Sequence, residues 1–288
     1  MRKNIRNISS LNFIKKLLFL FLFSCVYYNT FYNAEVNYEK AERIIQQTNQ
    51  TKSNEQIPAQ AKKLLGKAIE NSNIVINEYP NSKYVDDAYF IIGKASFLRK
   101  EFFNSEKYLI KLIDLYPNSK YVKEAQIYLA YTYLKMDNVD EAEKRLSQLA
   151  NFKQKKYQYL INNIFAELSI ENKSPFESYN YYNKCLLFAS DKSQKASIYL
   201  KLLNVSKEYE HIDSSIIYLG QLSQYLSDEK KKDVKLDWIK FNRKAGNFDK
   251  LIIEIDNMLA DAEYSNIYIK LKLERAKAYL DQSDFESA

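Results

Sequence analysis

The chain has 288 residues, 43 basic and 36 acidic side chains, and only four glycines and four prolines. So few glycines and prolines argue against Gly-rich phosphate-binding loops and against a turn-rich β fold. The formal net charge of +7 does not indicate a nucleic-acid partner, because residues 1–24 carry five basic side chains and no acid, and the rest of the chain is nearly balanced. Phosphate binding requires clustered cations that acids do not offset.

Residues 1–24 have the features of a bacterial leader peptide. Basic residues come first and an apolar run, residues 17–23, follows. This run is short for a membrane span but has the length of a signal-peptide core. It ends in Leu22-Phe23-Ser24-Cys25, which resembles a lipobox, the motif whose cysteine is acylated and becomes the first mature residue. The resemblance implies lipidation at Cys25; an ordinary signal peptide with a coincidental cysteine and an uncleaved anchor are the alternatives.

Residues 25–34 are predicted to join the acylated Cys25 to an aromatic tether. Val26 stands where, in the enterobacterial pattern, an Asp would favour retention in the inner membrane, so the resemblance implies export to the outer membrane. Four aromatic residues follow within residues 27–32. Their rings either lie at the membrane interface, which suits tyrosine, or pack on the first helix. Both interpretations stay open.

Residues 35–80 are predicted to form a first, irregular helical hairpin. Apolar residues at helical spacing indicate one helix over residues 35–50. The polar stretch 49–58 is predicted to be a long loop. Pro58 suits the first turn of a second helix that runs to Tyr79.

One heptapeptide occurs twice. Tyr-Pro-Asn-Ser-Lys-Tyr-Val spans residues 79–85 and returns unchanged 37 residues later at 116–122. A fixed period of this length is typical of stacked repeat proteins. Tyr-Pro is expected to end a helix, because the residue before proline is disfavoured in the helical region. The Asn and Ser that follow are predicted to cap the next helix.

Residues 81–150 are predicted to be two clear repeats, each a pair of helices. Small residues, an aromatic residue and a closing proline recur at matching places and resemble a tetratricopeptide repeat: Gly93, Ser105, Pro117, Ala130, Tyr133 and Ala142. The resemblance implies an all-α fold, a tetratricopeptide-like α-solenoid of about six to seven helical hairpins. Small residues are needed where neighbouring helices approach closely.

Residues 151–288 are predicted to continue the array as diverged repeats. One apolar residue opens each second helix, at intervals of 36 or 37 residues: Phe102, Val139, Phe176, Ile212, Phe248 and Phe285. The last unit stops inside its expected second helix. Because terminal repeats normally need a polar capping helix, the sequence is expected to be truncated at its carboxyl end.

The sequence offers little for catalysis. Its single histidine, His211, lies at a predicted turn and is expected to start a helix. Cys185 lies among aromatic and aliphatic residues and is expected to be a buried small hydrophobe. Walker-type phosphate loops, dinucleotide fingerprints and zinc spacings do not occur. We therefore expect a protein that is not an enzyme and that uses no cofactor and no metal.

A binding surface is the remaining prediction. In tetratricopeptide arrays the first helices line an inner face, and by this resemblance the chain has a peptide-binding groove at Phe90, Lys94, Phe97, Ile127, Tyr131 and Leu134. Aromatic residues would anchor an extended peptide or a partner helix there. The alternative is that these side chains simply pack between helices.

The Tyr-Pro-x-Ser-x-Tyr turns, the lipobox and the early hairpin together resemble the D lipoprotein of the β-barrel assembly machinery (the BamD family). The resemblance implies a lipid-anchored outer-membrane protein that faces the periplasm. Its partners would be the β-barrel assembly protein and unfolded outer-membrane proteins. A second interpretation is a scaffold for other cell-envelope or peptidoglycan machinery. A third, a carbohydrate-uptake lipoprotein, is disfavoured because a sugar site would need clustered tryptophans and only Trp238 is present.

Overall fold

The computed structural model describes residues 29–48 and 57–282. Within these ranges the chain forms thirteen α-helices and one 3-10 helix and no strand, which confirms the all-α prediction. The predicted leader, Cys25 and Phe285 lie outside the described residues, as does most of the predicted loop 49–58. None of the described helices is both long enough and apolar enough to span a bilayer.

The helices are numbered in chain order. Helix α1 covers residues 29–48, and a 3-10 helix, Ala262–Ile267, precedes α13. The others are α2 Ala59–Glu78, α3 Val85–Leu98, α4 Phe102–Leu115, α5 Val122–Lys135, α6 Val139–Leu149, α7 Lys155–Glu171, α8 Pro175–Phe188, α9 Lys192–Glu208, α10 Ile212–Ser223, α11 Asp228–Lys244, α12 Phe248–Ala260 and α13 Tyr268–Asp281.

The helices fall into two compact units. The first contains residues 29–45 and 57–149, and the second contains residues 46–48 and 150–282. Within the first unit α3 packs on α4 and α5 on α6. Within the second, α7 packs on α8, α9 on α10 and α11 on α12. These pairs are the helical hairpins that the sequence predicts.

The second helix of each hairpin begins where the sequence predicts it. Helices α4, α6, α10 and α12 start at the apolar openers themselves, and α8 starts at Pro175, one residue before Phe176. Before each of these helices stands a residue with positive φ: Lys100, Asp137, Lys173, Glu210 and Gly246. The amide of the next residue bonds a carbonyl five positions back, as from Glu101 to Ser96 at 2.9 Å. This is a Schellman turn, and only one of the five has glycine.

The two heptapeptides adopt the same turn. The first tyrosine of each heptapeptide is the last residue whose amide donates into the preceding helix, and a proline, Pro80 or Pro117, follows it. The amides of Ser82 and Ser119 then donate to the carbonyl of that tyrosine at 2.9 Å. The prediction that Asn and Ser cap the next helix was wrong, because Tyr84 and Tyr121 occupy the N-cap positions. The serine hydroxyls instead accept from the amides of these tyrosines at 3.2 and 3.3 Å.

Small residues lie where helices approach closely. A Cβ added to Gly93 would come within 2.6 Å of Leu109 Cδ2, so α3 and α4 touch at this point. Ser105 in α4 is fully buried and its hydroxyl lies 3.1 Å from that of Thr132 in α5. The expected small positions of the two clear repeats are therefore packing positions.

Within the described residues, α1 is already helical at residue 29, six residues before the predicted boundary at Glu35. Phe31 is buried and its ring stacks on Tyr84 with centroids 4.4 Å apart. Phe31 therefore packs within the fold, but it is itself part of α1 and packs on Tyr84, the residue before α3, rather than on the first helix. Tyr27 and Tyr28 lie outside the described residues.

Candidate functional site

Lys94 is the centre of a buried polar cluster in the first unit. It lies in α3, and its side chain is only 9% exposed. The ammonium is 3.0 Å from Glu124 in α5 and 3.6 Å from Glu42 in α1. It also lies 4.8 Å from the ring centre of Tyr128 and 5.3 Å from that of Tyr38. One lysine thus connects three first helices of successive hairpins.

The surroundings of Lys94 keep it charged. Burial of the ammonium by itself lowers the pKa, but Tyr128, Tyr38 and the carboxylates of Glu42 and Glu124 raise it, and the pKa stays well above its ordinary value. A charge that is buried this deeply is tolerated because anions and aromatic faces surround it. Lys94 is therefore held in place between α1, α3 and α5, and its ammonium is not free to move to a ligand.

The second tyrosine of the later heptapeptide joins α5 to α3. The Tyr121 hydroxyl donates to Asp87 at 2.6 Å, and its ring stacks on Phe90 with centroids 4.3 Å apart. Lys120 adds an ion pair to the same carboxylate at 3.2 Å. Burial, followed by the hydrogen bond to Asp87, raises the pKa of Tyr121 to about 12. The repeated motif therefore fastens each hairpin to the one before it, as Tyr84 does with Phe31.

In the second unit, ion pairs also join the first helices of neighbouring hairpins. Lys201 in α9 lies 2.8 Å from Glu167 and 2.7 Å from Asn163, both in α7. Further along, Lys207 of α9 pairs with Asp237 of α11 at 3.5 Å, and Arg243 of α11 pairs with Glu274 of α13 at 3.3 Å. Charged pairs between neighbouring first helices are thus a recurring feature of each unit.

The six residues predicted to line a groove are not equally accessible. Four of them are buried: Phe90, Lys94, Ile127 and Leu134. Phe97 and Tyr131 are half-buried. The buried four shape the wall behind the surface, while Phe97 and Tyr131 present part of their rings. Whether a peptide binds there stays a prediction.

Phe97 is the middle of an aromatic strip, which we define as Phe97, Phe102, Tyr128 and Tyr131. Its ring centre is 4.7 Å from Tyr131, 5.5 Å from Tyr128 and 5.8 Å from Phe102. Tyr128 also contacts Lys94. The aromatic strip therefore begins at the buried polar cluster and runs across α3 and α5 to the start of α4.

A cavity of about 510 Å³ adjoins the end of the aromatic strip. It lies between residues 100–104, which turn into α4, and residues 135–137, which end α5. Phe102 belongs to both the strip and the cavity wall. Lys135, also in the wall, has its ammonium 5.4 Å from the ring centre of Tyr131. Sequence periodicity gave no sign of this cavity, because it depends on the spacing of two neighbouring turns.

Cys185 and His211, the two residues considered for catalysis, are engaged in packing or hydrogen bonding within the fold. Cys185 is fully buried, as predicted. Burial raises the pKa of its thiol to about 12. His211 stands at the start of α10, and its Nδ1 lies 3.0 Å from the hydroxyl of Tyr179. Among the residues that the structure describes, no group of three His, Cys, Asp or Glu side chains is arranged to hold a metal ion.

Comparison with known proteins agrees with the helical-hairpin architecture. A tetratricopeptide repeat family model matches residues 87–119, from the α3 helix to the second heptapeptide. The fold and this match define a tetratricopeptide-like helical-repeat protein, as predicted. Repeats of this class generally serve as non-catalytic scaffolds for protein–protein interaction.

One solved structure that matches the chain is that of PilF from Pseudomonas aeruginosa. It is 14% identical, with a TM-score of 0.45, and the alignment covers 84% of this chain and 99% of that one. At this similarity it carries no argument about function. No curated protein matches the chain.

Proposed function

We propose that this protein is a non-catalytic lipoprotein, anchored through Cys25 on the periplasmic face of the outer membrane, that binds polypeptides in β-barrel assembly as BamD-like proteins do. Its partners would be the β-barrel assembly protein and unfolded outer-membrane proteins. The lipobox and the paired Tyr-Pro turns support this proposal. The helical-repeat fold supports the coarser function of protein binding.

The observation that carries the binding function is the aromatic strip with its adjoining cavity. Half-buried rings on a rigid helical wall provide large contact area at little entropic cost on binding. The Lys94 cluster fixes α1, α3 and α5 against one another, so the strip is held in place before a partner arrives. Preorganised aromatic surfaces of this kind are suited to anchoring a peptide or helix.

The test is purification of the full-length chain from membranes, followed by mass spectrometry of its amino terminus and of its partners. We expect a diacylglyceryl group on Cys25 and the barrel-assembly protein among the partners. A Cys25→Ser variant should be lost from the membrane fraction, whereas Cys185→Ser should stay there. An unmodified Cys25 in the membrane-bound protein would refute the anchor and the localisation.

A scaffold for other cell-envelope or peptidoglycan machinery is the second candidate. The same aromatic strip would serve it equally well, because the strip recognises apolar groups rather than one partner. Recovery of an acylated Cys25 with cell-wall enzymes, and without barrel proteins, would favour this function. Depletion then should not lower the level of outer-membrane barrels.

A further inference from the structure

The start of α1 lies close in sequence to the proposed lipid anchor. The chain is already helical at residue 29, four residues after Cys25. Four residues span at most about 14 Å even when they are fully extended. An acyl group on Cys25 therefore holds the first turn of α1 within that distance of the bilayer surface.

The first turn of α1 is fastened to the first heptapeptide. Phe31 is buried, and its ring stacks on that of Tyr84 with the centroids 4.4 Å apart. Residues 29–45 of α1 also belong to the same compact unit as residues 57–149. The folded unit therefore begins close to the anchor, and the side of the unit around Phe31 is the side that the anchor brings to the bilayer.

The starts of α1, α3 and α5 lie together at one edge of the first unit. Tyr121, the N-cap residue of α5, donates to Asp87 in the first turn of α3 at 2.6 Å. Glu35 of α1 is near as well, because its pKa is raised mainly by burial and further by the Asp87 carboxylate. The turns that precede α3 and α5 therefore share an edge with the start of α1. We call it the anchor edge and define it as residues 29–35, 79–84 and 116–121.

The exposed side chains of the anchor edge suit a phospholipid surface. Both heptapeptide turns expose a proline, an asparagine and a lysine: Pro80, Asn81, Lys83, Pro117, Asn118 and Lys120. Neither heptapeptide contains an acid, and Glu78 and Asp86, which flank the first one, lie within α2 and α3. Tyr32 is 49% exposed and adds a side chain of the type that is enriched at membrane interfaces.

The two lysines have similar surroundings. The Lys83 ammonium lies 5.0 Å from the ring centre of Tyr84, and that of Lys120 lies 4.7 Å from the ring centre of Tyr121. Lys120 also pairs with Asp87 at 3.2 Å, yet its side chain is 71% exposed. Both ammonium groups therefore remain open to a phosphate oxygen outside the protein, and a lysine near an anionic membrane surface strengthens association with it.

We propose that the anchor edge rests on the bilayer that holds the lipid anchor, with Tyr32 at the interface and Lys83 and Lys120 against phospholipid phosphates. This proposal rests on the lipidation of Cys25 in the proposed function and adds the orientation of the first unit on the membrane. The short distance between Cys25 and α1 selects the membrane as the partner of this edge.

The proposed orientation has a consequence for polypeptide binding. Helix α3 has 14 residues and is about 21 Å long. It begins at the anchor edge and ends beside the cavity between residues 100–104 and 135–137. Contact of the anchor edge with the bilayer therefore places this cavity and the end of the aromatic strip about one helix length away from the headgroups, where polypeptides in the aqueous compartment can reach them.

The test attaches one fluorophore to each edge and measures its quenching by lipids that carry a nitroxide on the headgroup. Asn81→Cys and Asn118→Cys label the anchor edge, and Asn104→Cys labels the opposite edge; all three asparagines are exposed. Cys185 is fully buried and should stay unlabelled. The acylated full-length chain, alone in vesicles of phosphatidylethanolamine and phosphatidylglycerol, should lose most of its emission with the label at residue 81 or 118 and almost none with the label at residue 104.

A charge reversal tests the contact with phosphate. Lys83→Glu should reduce the quenching of a label at residue 118, because a carboxylate then faces the phosphates and lifts the anchor edge from them. Lys63→Glu is the matched control, since Lys63 is also exposed but lies near the opposite end of α2. It should leave the quenching unchanged. Circular dichroism checks that both variants keep their helices.

The remaining outcomes separate this proposal from the proposed function. No quenching at residues 81 and 118 in a chain whose Cys25 is acylated would overturn the orientation and leave the anchor and the binding function intact. Equal quenching at residues 81, 104 and 118 would show that the unit lies on its side, which also overturns it. Quenching that Lys83→Glu leaves unchanged would overturn the phosphate contact. An unmodified Cys25 would refute the anchor of the proposed function and this orientation with it.

Discussion

Lys94 shows how one side chain can hold several helices in register. Removing a charge from water is costly, and only close partners recover that cost. Its partners come from α1 and α5, on either side of α3. A cation in this position therefore favours one arrangement of the three helices over slipped alternatives.

We expect Lys94→Met to lower the free energy of unfolding by about 2–4 kcal/mol, because the carboxylates of Glu42 and Glu124 lose the cation between them. Urea unfolding followed by circular dichroism measures this. Lys63→Met, which replaces an exposed lysine of α2, should change the value by less than about 0.5 kcal/mol. Equal effects of the two substitutions would contradict a structural role for Lys94.

The Cys185 thiol should be chemically silent in the folded protein. Burial raises its pKa to about 12, so almost no thiolate exists between pH 7 and 9, and reagents cannot reach the sulfur. Alkylation with iodoacetamide followed by peptide mass spectrometry should leave Cys185 unmodified until denaturant is added. Rapid labelling of the native chain at pH 8 would show that the α7–α8 core opens readily.

At the scale of the helix and its turn, the five Schellman turns repeat one backbone conformation with different residues. Glycine adopts positive φ without steric cost, but lysine, aspartate and glutamate do not. Four of the five turns therefore carry local strain that the packed helices on either side must overcome. The hairpin architecture is set by packing rather than by turn preference.

Replacing Lys173, whose φ is 55°, by glycine should raise stability by about 0.5–1 kcal/mol, because the left-handed conformation no longer opposes a Cβ. Thermal unfolding of Lys173→Gly measures the gain. The opposite substitution, Gly246→Ala at φ 76°, should lower stability by a similar amount. Shifts of the same sign in both variants would show that turn conformation does not decide them.

Two helical glycines make a second matched pair. A methyl group on Gly93 would meet Leu109 at 2.6 Å, and Leu109 is fully buried. We expect Gly93→Ala to destabilise by about 1–3 kcal/mol through overpacking. Gly220→Ala, which has open space around its Cβ position, should instead stabilise by about 0.5–1 kcal/mol through helix propensity. Unfolding midpoints of the two variants should move in opposite directions.

The sequence predicted the elements well because their signals are local and periodic. An apolar opener such as Phe248 begins a helix as expected, and the doubled heptapeptide is a turn in both copies. The capping prediction failed because α3 begins only at Val85, two residues beyond the start that a Ser82 cap would give, so Tyr84 rather than Asn81 or Ser82 occupies the N-cap position. Turn chemistry on that scale depends on backbone geometry that identical motifs do not reveal.

The site was only partly predictable. The positions expected to face inward on the first helices include Phe97 and Tyr131, and both of these residues are partly exposed to solvent. It did not identify Glu42 as a partner of Lys94, because α1 lies outside the regular period and no spacing rule relates the two. The cavity beside Phe103 depends on the distance between two turns. Distances between segments that are far apart along the chain cannot be predicted from a single sequence.

Across the whole molecule, folding raises the proton affinity of many lysines and tyrosines. Desolvation and neighbouring carboxylates raise the pKa values of Tyr38, Tyr182 and others, and those of Lys94 and Lys201 also rise because their charged partners outweigh desolvation. The folded chain therefore keeps these protons to higher pH than the unfolded chain. This stabilisation is complete below the unfolded pKa values, near 10, and is lost as pH rises through the folded ones.

We expect the melting temperature to be nearly constant between pH 7 and 9 and to fall steeply above about pH 10. Differential scanning calorimetry across this range, with absorbance at 295 nm to follow tyrosine ionisation, measures both events. In the unfolded chain the tyrosines should ionise near pH 10, and in the folded chain later. Ionisation at the same pH in both states would contradict the burial of these side chains.

The ion pairs between first helices depend on the order of the hairpins, because each charged residue has its partner on one particular neighbouring helix. Lys94 of α3 and Glu167 of α7 stand eight residues before the start of their second helices, yet their charges are opposite. A copy of the α3–α4 hairpin transplanted into the place of α7–α8 would set the Lys94 ammonium against Lys201. Unequal recombination among similar repeats would thus place like charges on neighbouring first helices. Variants with exchanged hairpins are therefore expected to be less stable.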